Sequence, residues 1–210
     1  MALRKPQAER RQQILEAAVE VFARRGYYEA KVEEVAARAG IGKGTVYEYF
    51  RSKRELFQAM LDYVGEYHLS VLRASLEPGR RSREKLVALA RAHLELLLRH
   101  RELARLIFYS HAILGPQIWD WLQGQEKALV ELLSAVFREG AARGELRPAD
   151  EAMAARAFLG ALWTAGGSLI CRPGGPAAGY DPKEMASALV DLLLQGLAGP
   201  GGCRSATPEP

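Results

Sequence analysis

The sequence predicts an all-α protein of about nine helices, with a small N-terminal module followed by a larger helical domain. Its apolar residues recur with a helical period along the chain, and no run of β-branched residues alternates with polar ones. Clusters of glycine and proline divide the chain into segments of helix length. With 210 residues, 49% of them hydrophobic, the chain is long enough for a packed core. We expect a helical module at residues 8–54, a helical domain at 55–198 and a disordered tail at 199–210.

Three short helices form the predicted module. The first ends at Gly26, where glycine favours a helix C-terminus, and the second ends at Gly40. The third runs from Lys43 to Phe50 after the turn Gly40-Ile41-Gly42. The apolar stripes of the first two helices comprise Ile14, Leu15, Ala18, Val21 and Phe22, and Val32, Val35, Ala36 and Ala39. Because the glycine-bearing turn is short, the second and third helices should cross steeply, as in a helix-turn-helix.

A long fourth helix is expected to connect this module to the rest of the chain. Ser52-Lys53-Arg54-Glu55 has the capping-box pattern that starts a helix, and Glu77-Pro78-Gly79 ends it after Leu76. The later helices are predicted near Ser82–His100, Glu102–Ile113, Gln117–Arg143, Asp150–Cys171 and Pro182–Leu197. The fourth helix is therefore the predicted mechanical link between the two parts.

Positive charge is concentrated in the module. Residues 1–55 contain 12 Lys and Arg against 8 Asp and Glu, whereas residues 56–210 contain 17 of each. A local basic excess is typical of a segment that binds a polyanion such as DNA, the alternative being a solvated basic face.

The remaining composition narrows the class of protein. No apolar stretch reaches the roughly 18 residues of a membrane span, and Met1–Gln13 lacks the apolar centre of a signal peptide. Cys171 and Cys203 are too far apart to indicate a disulfide framework or a metal site. No hydrolase, metalloprotease or nucleotide-binding motif is present, and the four histidines are scattered. We expect a cytoplasmic protein without cofactors that is neither an enzyme nor a membrane protein.

The third helix has two different faces. Val46 and Phe50 fall on one side, and Gly44, Thr45 and Glu48 fall on the other. Tyr47 and Tyr49 flank the boundary, and Lys43 lies at the N-terminal end. Glycine in a helix interior costs about 1 kcal/mol relative to alanine. The presence of Gly44 therefore requires another explanation, such as the close approach of a phosphate or groove wall to the backbone.

These residues carry a family resemblance. The run Gly26-Tyr27, Val32-x-x-Val35-Ala36-x-x-Ala39-Gly40-Ile41-x-Lys43-Gly44-Thr45-Val46-Tyr47-x-Tyr49-Phe50-x-Ser52-Lys53-x-x-Leu56 resembles the DNA-binding module of the tetracycline-repressor (TetR) family. The resemblance covers residues from about 10 to 60 and extends beyond them only in helical organisation. It implies that Lys43–Phe50 is a recognition helix that enters the major groove of double-stranded operator DNA.

The resemblance also implies roles for single residues. Lys43 and the Gly44 amide would touch phosphate or base edges, and Thr45 would face bases or a thymine methyl. Tyr47 and Tyr49 would contact phosphates or thymine methyls, and Lys53 would bind a phosphate. Glu48 has two interpretations, acceptance of a hydrogen bond from cytosine N4 or pairing with a nearby arginine.

One departure from the family pattern lies at the start of the second helix. Family members commonly carry threonine or serine there, whereas this chain has Ala30-Lys31. The cap is weakened by about 1 kcal/mol unless Glu29 replaces it. Lys31 either makes a charge-assisted phosphate contact or is simply solvated.

For the second domain the resemblance implies a pocket for a small hydrophobic effector. The predicted lining is Phe108, His111, Trp119, Leu122 and Trp163, with His111 as polar anchor or, alternatively, as an ordinary surface or core histidine. The segment Gly140–Gly160, together with Ala30-Lys31-Val32, resembles the fatty-acid-responsive branch of the family. This suggests fatty acyl-CoA as the effector.

The last two helices are the predicted homodimer interface, because they carry more apolar surface than one partner helix covers. The residues concerned are Ala154, Ala157, Gly160, Ala161, Ala165 and Gly166, then Met185, Leu189, Val190, Leu192, Leu193, Leu194 and Leu197. A two-fold dimer implies a palindromic operator. We therefore predict an effector-released repressor, with a transcriptional activator of the same fold or a helical protein-binding adaptor as alternatives.

Overall fold

The computed structural model describes residues 7–110, 116–147, 150–171 and 181–195, and the regular structure in these ranges is entirely helical. The nine helices found there confirm the all-α prediction. They are α1 (Gln7–Glu29), α2 (Val32–Arg38), α3 (Lys43–Tyr49), α4 (Lys53–Ala74), α5 (Ser82–Arg99), α6 (Arg101–Ser110), α7 (Pro116–Ala142), α8 (Glu151–Cys171) and α9 (Pro182–Gln195). None of them is long and apolar enough to cross a membrane. The predicted tail at 199–210 and the predicted pocket residue His111 lie outside the described residues.

The first three helices pack into one hydrophobic cluster, which we call the module core. It contains the apolar stripes of α1 and α2, Val46 of α3, and Phe50, which is the C-cap residue of α3. Leu56, Phe57, Met60 and Leu61 of α4 also belong to it, as does Leu103 of α6. The module core therefore extends past residue 54 into the connecting helix. Movement of α4 is consequently felt by the helices that carry the motif.

Two glycines shape the module where the backbone enters the left-handed region. Gly26 has φ +71° and breaks α1, so its predicted helix end is a kink followed by one short helical stretch to Glu29. Gly40 has φ +64° and makes the turn between α2 and α3, where the Ile41 amide donates to the Ala36 carbonyl at 3.0 Å. The turn thus holds α3 at a fixed angle to α2.

The caps of α2 and α4 differ in part from the sequence predictions. At α4 the Glu55 amide donates to Ser52 Oγ at 3.1 Å, while the Glu55 carboxylate accepts from the Arg51 amide at 2.7 Å rather than from that of Ser52. At α2 the Lys31 amide donates to Glu34 Oε2 at 3.0 Å. Since a lysine side chain has only donors, Lys31 itself cannot cap, and Glu34 instead satisfies the amide of this N-cap residue.

The remaining helices enclose a second cluster, which we call the body core. It draws buried residues from α4, α5, α7, α8 and α9, among them Leu72, Leu89, Leu133, Phe158 and Val190. Polar bonds tie its elements together: Lys85 Nζ donates to Glu139 at 2.6 Å and Arg83 binds Asp191 at 2.7 Å. Because α4 contributes to both cores, it joins the module to the body.

Candidate DNA-binding face and effector cavity

The structure places the two faces of α3 as predicted. Val46 is 1% exposed and points into the module core, and Phe50 directly after the helix is also buried. Gly44, Tyr47 and Glu48 are exposed, and Thr45 is half-buried. Tyr49 is half-buried and packs against the module core. The outer face of α3 therefore presents small, polar and aromatic groups to solvent.

Lys43 begins α3 and forms an ion pair across the helix-turn-helix. Its Nζ lies 2.5 Å from Glu33 Oε1 at the start of α2 and 5.7 Å from the centroid of the Tyr47 ring. The hydrogen bond to Glu33 raises the pKa of Lys43, and the same bond lowers the pKa of Glu33. Both side chains are exposed, so the pair holds the lysine head near the helix N-terminus without burying it.

Lys53 and Lys31 lie on either side of this helix in the sequence. Lys53 Nζ donates to the Tyr28 carbonyl at 2.9 Å and lies 5.0 Å from the centroid of the Tyr27 ring. Lys31 is exposed at the N-cap of α2. The ammonium group of Lys53 is therefore oriented by its contacts with α1.

Gly44 has open space above it. A Cβ atom built at this position meets nothing within 4 Å, and the helix geometry there is ordinary. The fold of the chain therefore does not require glycine at position 44. This agrees with the interpretation that something outside the chain approaches the backbone closely.

A cavity of about 300 Å³ lies between the module and the body. Six helices contribute to its wall, and most of the lining is apolar. The lining residues are Val19, Tyr63, Val64, Gly65, Tyr67, His68, His93, Leu96, Leu97, His100, Leu103, Ala104, Ile107, Phe108, Trp121, Leu122, Gln125, Leu129 and Trp163. Its volume is at the lower end of the usual range for small-molecule pockets.

Three of the five predicted pocket residues line this cavity. Leu122 lies on its α7 wall, and Phe108 stacks on Trp163 with ring centroids 4.1 Å apart. In contrast to the prediction, Trp119 is 52% exposed and does not line this cavity. Trp121 lines the wall instead. Side chains two positions apart in an α-helix point in directions that differ by about 200°.

Two histidines that looked scattered in the sequence meet at this wall. His68 Nε2 of α4 and His93 Nδ1 of α5 are hydrogen-bonded at 3.0 Å. Burial lowers the pKa of His68 to about 4, and burial together with the neighbouring His68 lowers the pKa of His93 to about 3. Both imidazoles are therefore neutral at pH 7. Only the packing of α4 on α5 brings them together, so no local sequence signal identifies the pair.

The cavity shares its wall with the module core. Several lining residues also pack against that core: Val19, Tyr63, Val64, Ile107, Trp121 and Leu122. Leu103 of α6 is buried in the module core itself. A molecule in the cavity would therefore touch side chains that hold the module together.

The outer faces of α8 and α9 carry exposed apolar side chains. Met153 on α8 and Leu192 and Leu193 on α9 are 62%, 44% and 39% exposed. Gly160 of α8 lies on the same exposed side, with no atom within 4 Å of a Cβ built on it. Two residues predicted for the interface lie inside the protomer instead, Val190 in the body core and Gly166 against Leu97. Leu197 lies outside the described residues.

Comparison with known proteins agrees with both parts of the chain. Residues 14–60 match the family model of bacterial regulatory proteins of the tetR family, and residues 79–197 match that of the tetracyclin repressor-like C-terminal domain. The HTH-type transcriptional activator FasR of Mycolicibacterium smegmatis is 37% identical over 115 residues, covering 55% of this chain and 52% of that protein. The matched segment thus spans about half the length of that relative.

Two further similarities cover most of the chain. The fatty acid metabolism regulator protein of Bacillus subtilis is 25% identical over 191 residues, which are 88% of this chain and 94% of that protein. A crystal structure of the transcriptional regulator FadR from Bacillus subtilis in complex with stearoyl-CoA superimposes with a TM-score of 0.76 at 22% identity, covering 89% of this chain and 98% of that one. The chain therefore belongs to the TetR family of bacterial transcriptional regulators.

Proposed function

We propose that the protein binds a palindromic operator as a homodimer and is released from it when a fatty acyl-CoA enters the cavity. The observation that carries this proposal is the position of the cavity, whose wall is built in part from α4 and from side chains packed on the module core. An effector there would contact side chains that pack on the module core, to which α3 contributes Val46. The apolar lining suits an acyl chain.

The acyl-CoA assignment is supported by two of the comparisons. A Bacillus subtilis relative is named a fatty acid metabolism regulator, and a solved structure of the same fold holds stearoyl-CoA. The cavity is bounded by aromatic and branched side chains with few polar atoms. An alkyl chain gains about 0.8 kcal/mol for each buried methylene, so such a cavity selects long-chain ligands over polar metabolites.

The homodimer is supported by the apolar stripes on α8 and α9. Met153, Ala157, Gly160 and Thr164 follow one exposed line along α8, and Leu192 and Leu193 extend the surface on α9. Small residues at Ala157 and Gly160 permit close approach of a second copy of α8. A dimer with a two-fold axis there would carry two copies of α3, and half-sites one helical turn apart, about 34–36 Å, are what a dimeric helix-turn-helix protein binds.

On the operator, α3 lies in the major groove with its exposed face toward the bases. Lys43, Gly44, Thr45, Tyr47, Glu48 and Tyr49 provide the contacts of this helix, and Lys31 and Lys53 bind the phosphates that flank it. Lys43 leaves Glu33 to reach DNA. When the effector separates α4 from α7, the paired α3 helices change spacing, and a coupling of about 1–3 kcal/mol suffices for release.

The same geometry serves an activator as well as a repressor, since the M. smegmatis relative is named an activator. The position of the operator distinguishes the two modes. A site overlapping the promoter elements supports repression, whereas a site upstream that increases transcription in vitro supports activation.

The experiment begins with selection of bound sequences from random DNA, followed by anisotropy titration of the selected operator. We expect a palindrome, and a log affinity that falls by about 0.9 per tenfold increase in salt for each phosphate contacted. Stearoyl-CoA should release the operator, while CoA alone, the matched control, should not. Selection without enrichment would favour the protein-binding adaptor, and release by neither compound would exclude the acyl-CoA effector.

A further inference from the structure

The cavity wall contains two buried polar atoms that the apolar lining does not satisfy. His93 Nε2 and Trp121 Nε1 have no hydrogen-bond partner among the described residues. His93 is only 2% exposed, and both side chains line the cavity. Leaving a buried polar group unsatisfied is unfavourable, and most such groups in folded proteins are paired. Because the side chains that carry them lie in the wall of a ligand cavity, a ligand group would pair with these atoms once the side chains turn toward it.

The donor and acceptor chemistry of the two atoms limits what that group is. An indole Nε1 only donates, so Trp121 requires an acceptor. A neutral imidazole has one N–H, and the bond between the two histidines is compatible with both directions. If His68 Nε2 donates to His93 Nδ1, the proton of His93 is on Nε2, which then donates; if His93 Nδ1 donates, Nε2 accepts. In the first tautomer both atoms are donors, and two donors in an apolar cavity match an oxygen that accepts hydrogen bonds and carries little charge. A carbonyl oxygen fits this description, and an alkyl chain does not.

We propose that His93 and Trp121 form a polar subsite that recognises the thioester carbonyl of the effector, with the acyl chain in the apolar remainder of the cavity. This inference rests on the proposed function and adds to it the group by which the effector is recognised. His68 is the positioning residue, because its bond to Nδ1 sets which nitrogen of His93 bears the proton. His68 belongs to α4, so the subsite is joined to the helix that leads to the DNA-binding face.

The test compares two ligands that differ only in the carbonyl. Stearoyl-CoA carries the thioester, whereas S-octadecyl-CoA is a thioether with a methylene in its place. Isothermal titration of the unmodified full-length protein should give about tenfold tighter binding of the thioester, the value of about one to two hydrogen bonds. Equal affinities would overturn the subsite while leaving the acyl-CoA response intact. If neither compound binds, both the proposed acyl-CoA response and the subsite are wrong.

Three substitutions test which side chains of the cavity wall cause the preference for the thioester over the thioether. Trp121→Phe removes only the indole N–H, and His93→Asn retains a group near the Nδ1 position while removing Nε2. Both should bring the affinity ratio of the two ligands toward one. His93→Gln is the matched control, because its amide reaches the Nε2 position and should retain most of the ratio. A full tenfold ratio in both Trp121→Phe and His93→Asn would assign the carbonyl to another part of the cavity and overturn the proposal.

Discussion

The N-terminal module and the C-terminal body differ in the side chains that they leave exposed around their hydrophobic cores. The module core closes within a short stretch of sequence, from Ile14 to Leu61 with Leu103 added, and leaves a polar outer face. The body core draws on helices far apart in sequence and leaves apolar side chains exposed on α8 and α9. The module therefore presents a surface suited to a polyanion, and the body a surface suited to an apolar partner. In the proposed function the module acts through its outer face, whereas the body acts through an inner cavity and an outer face.

The largest effect is expected from charging the apolar face of α9. Leu192→Glu with Leu193→Glu places two carboxylates in the proposed dimer interface, and both sites are already exposed in the protomer, so its fold should survive. Loss of the proposed dimer would remove the avidity of two half-sites, and operator affinity should fall by about 10²- to 10⁴-fold. Sedimentation velocity measures the oligomer, and anisotropy measures DNA binding.

The control for that change is Lys183→Glu on the same helix. Residue 183 is exposed and lies on the side of α9 opposite Leu192. It should leave the protein dimeric. A dimer that persists in the double leucine variant would show that the interface lies elsewhere.

The second largest effect should come from the two oriented lysines. Lys43→Ala with Lys53→Ala removes the two proposed charge-assisted contacts to DNA, and we expect about 100-fold weaker operator binding. The slope of log affinity against log salt should become shallower by about 2. Lys127→Ala, an exposed lysine of α7, is the matched control and should leave both quantities unchanged. An unaltered salt slope in the double variant would contradict the proposed face.

The contrast between the regions also explains what the sequence could predict. The faces of α3 follow from the angle between successive residues, so Gly44 and Val46 were placed correctly, and the Ser52 cap is a contact between near neighbours. The cavity depends on how α4, α5 and α7 pack, which local periodicity does not encode. Trp119 and Trp121 are equally apolar in the sequence, and only the rotation of α7 decides which one lines the wall. The His68–His93 pair is likewise a product of long-range packing.

Acid should destabilise the body through that histidine pair. Burial lowers the pKa of His68 to about 4 and that of His93 to about 3, below the ordinary value of 6.5 that applies in the unfolded chain. Between pH 6.5 and 4 the unfolded state therefore binds more protons, and the free energy of unfolding falls as the pH decreases. Each imidazole contributes up to about 1.4 kcal/mol per pH unit.

Urea unfolding from pH 6.5 to 5 tests this slope, in a range where carboxylates change little. His68→Gln with His93→Gln should flatten the dependence, whereas His100→Gln, at an exposed site, should leave it as it is. Equal slopes in all three proteins would mean that the pair titrates normally.

A smaller effect separates stability from DNA binding at Gly44. Because a Cβ at this position meets no atom within 4 Å, Gly44→Ala should stabilise the free protein by up to about 1 kcal/mol through helix propensity. The added methyl group should nevertheless hinder approach to the DNA, with roughly tenfold weaker binding, equivalent to about 1.4 kcal/mol. Gly124→Ala in α7, also with open space around it, should raise stability in the same way without affecting operator affinity. If Gly44→Ala bound the operator as well as the unmodified protein, close backbone approach would not be the reason for this glycine.

The smallest effect concerns the ion pair that holds Lys43 before DNA is bound. On the proposed DNA-binding face Glu33 would compete with phosphate for this lysine, because Lys43 Nζ lies 2.5 Å from Glu33 Oε1. Glu33→Gln should therefore strengthen operator binding about threefold, within the modest range of exposed ion pairs. In a Lys43→Ala background the same change should yield a smaller gain, because only the long-range repulsion between Glu33 and DNA is then removed. Glu131→Gln on α7 controls for net charge. An equal gain with and without Lys43 would show that Glu33 acts only by repelling the DNA. The ion pair would then not hold Lys43 back from phosphate.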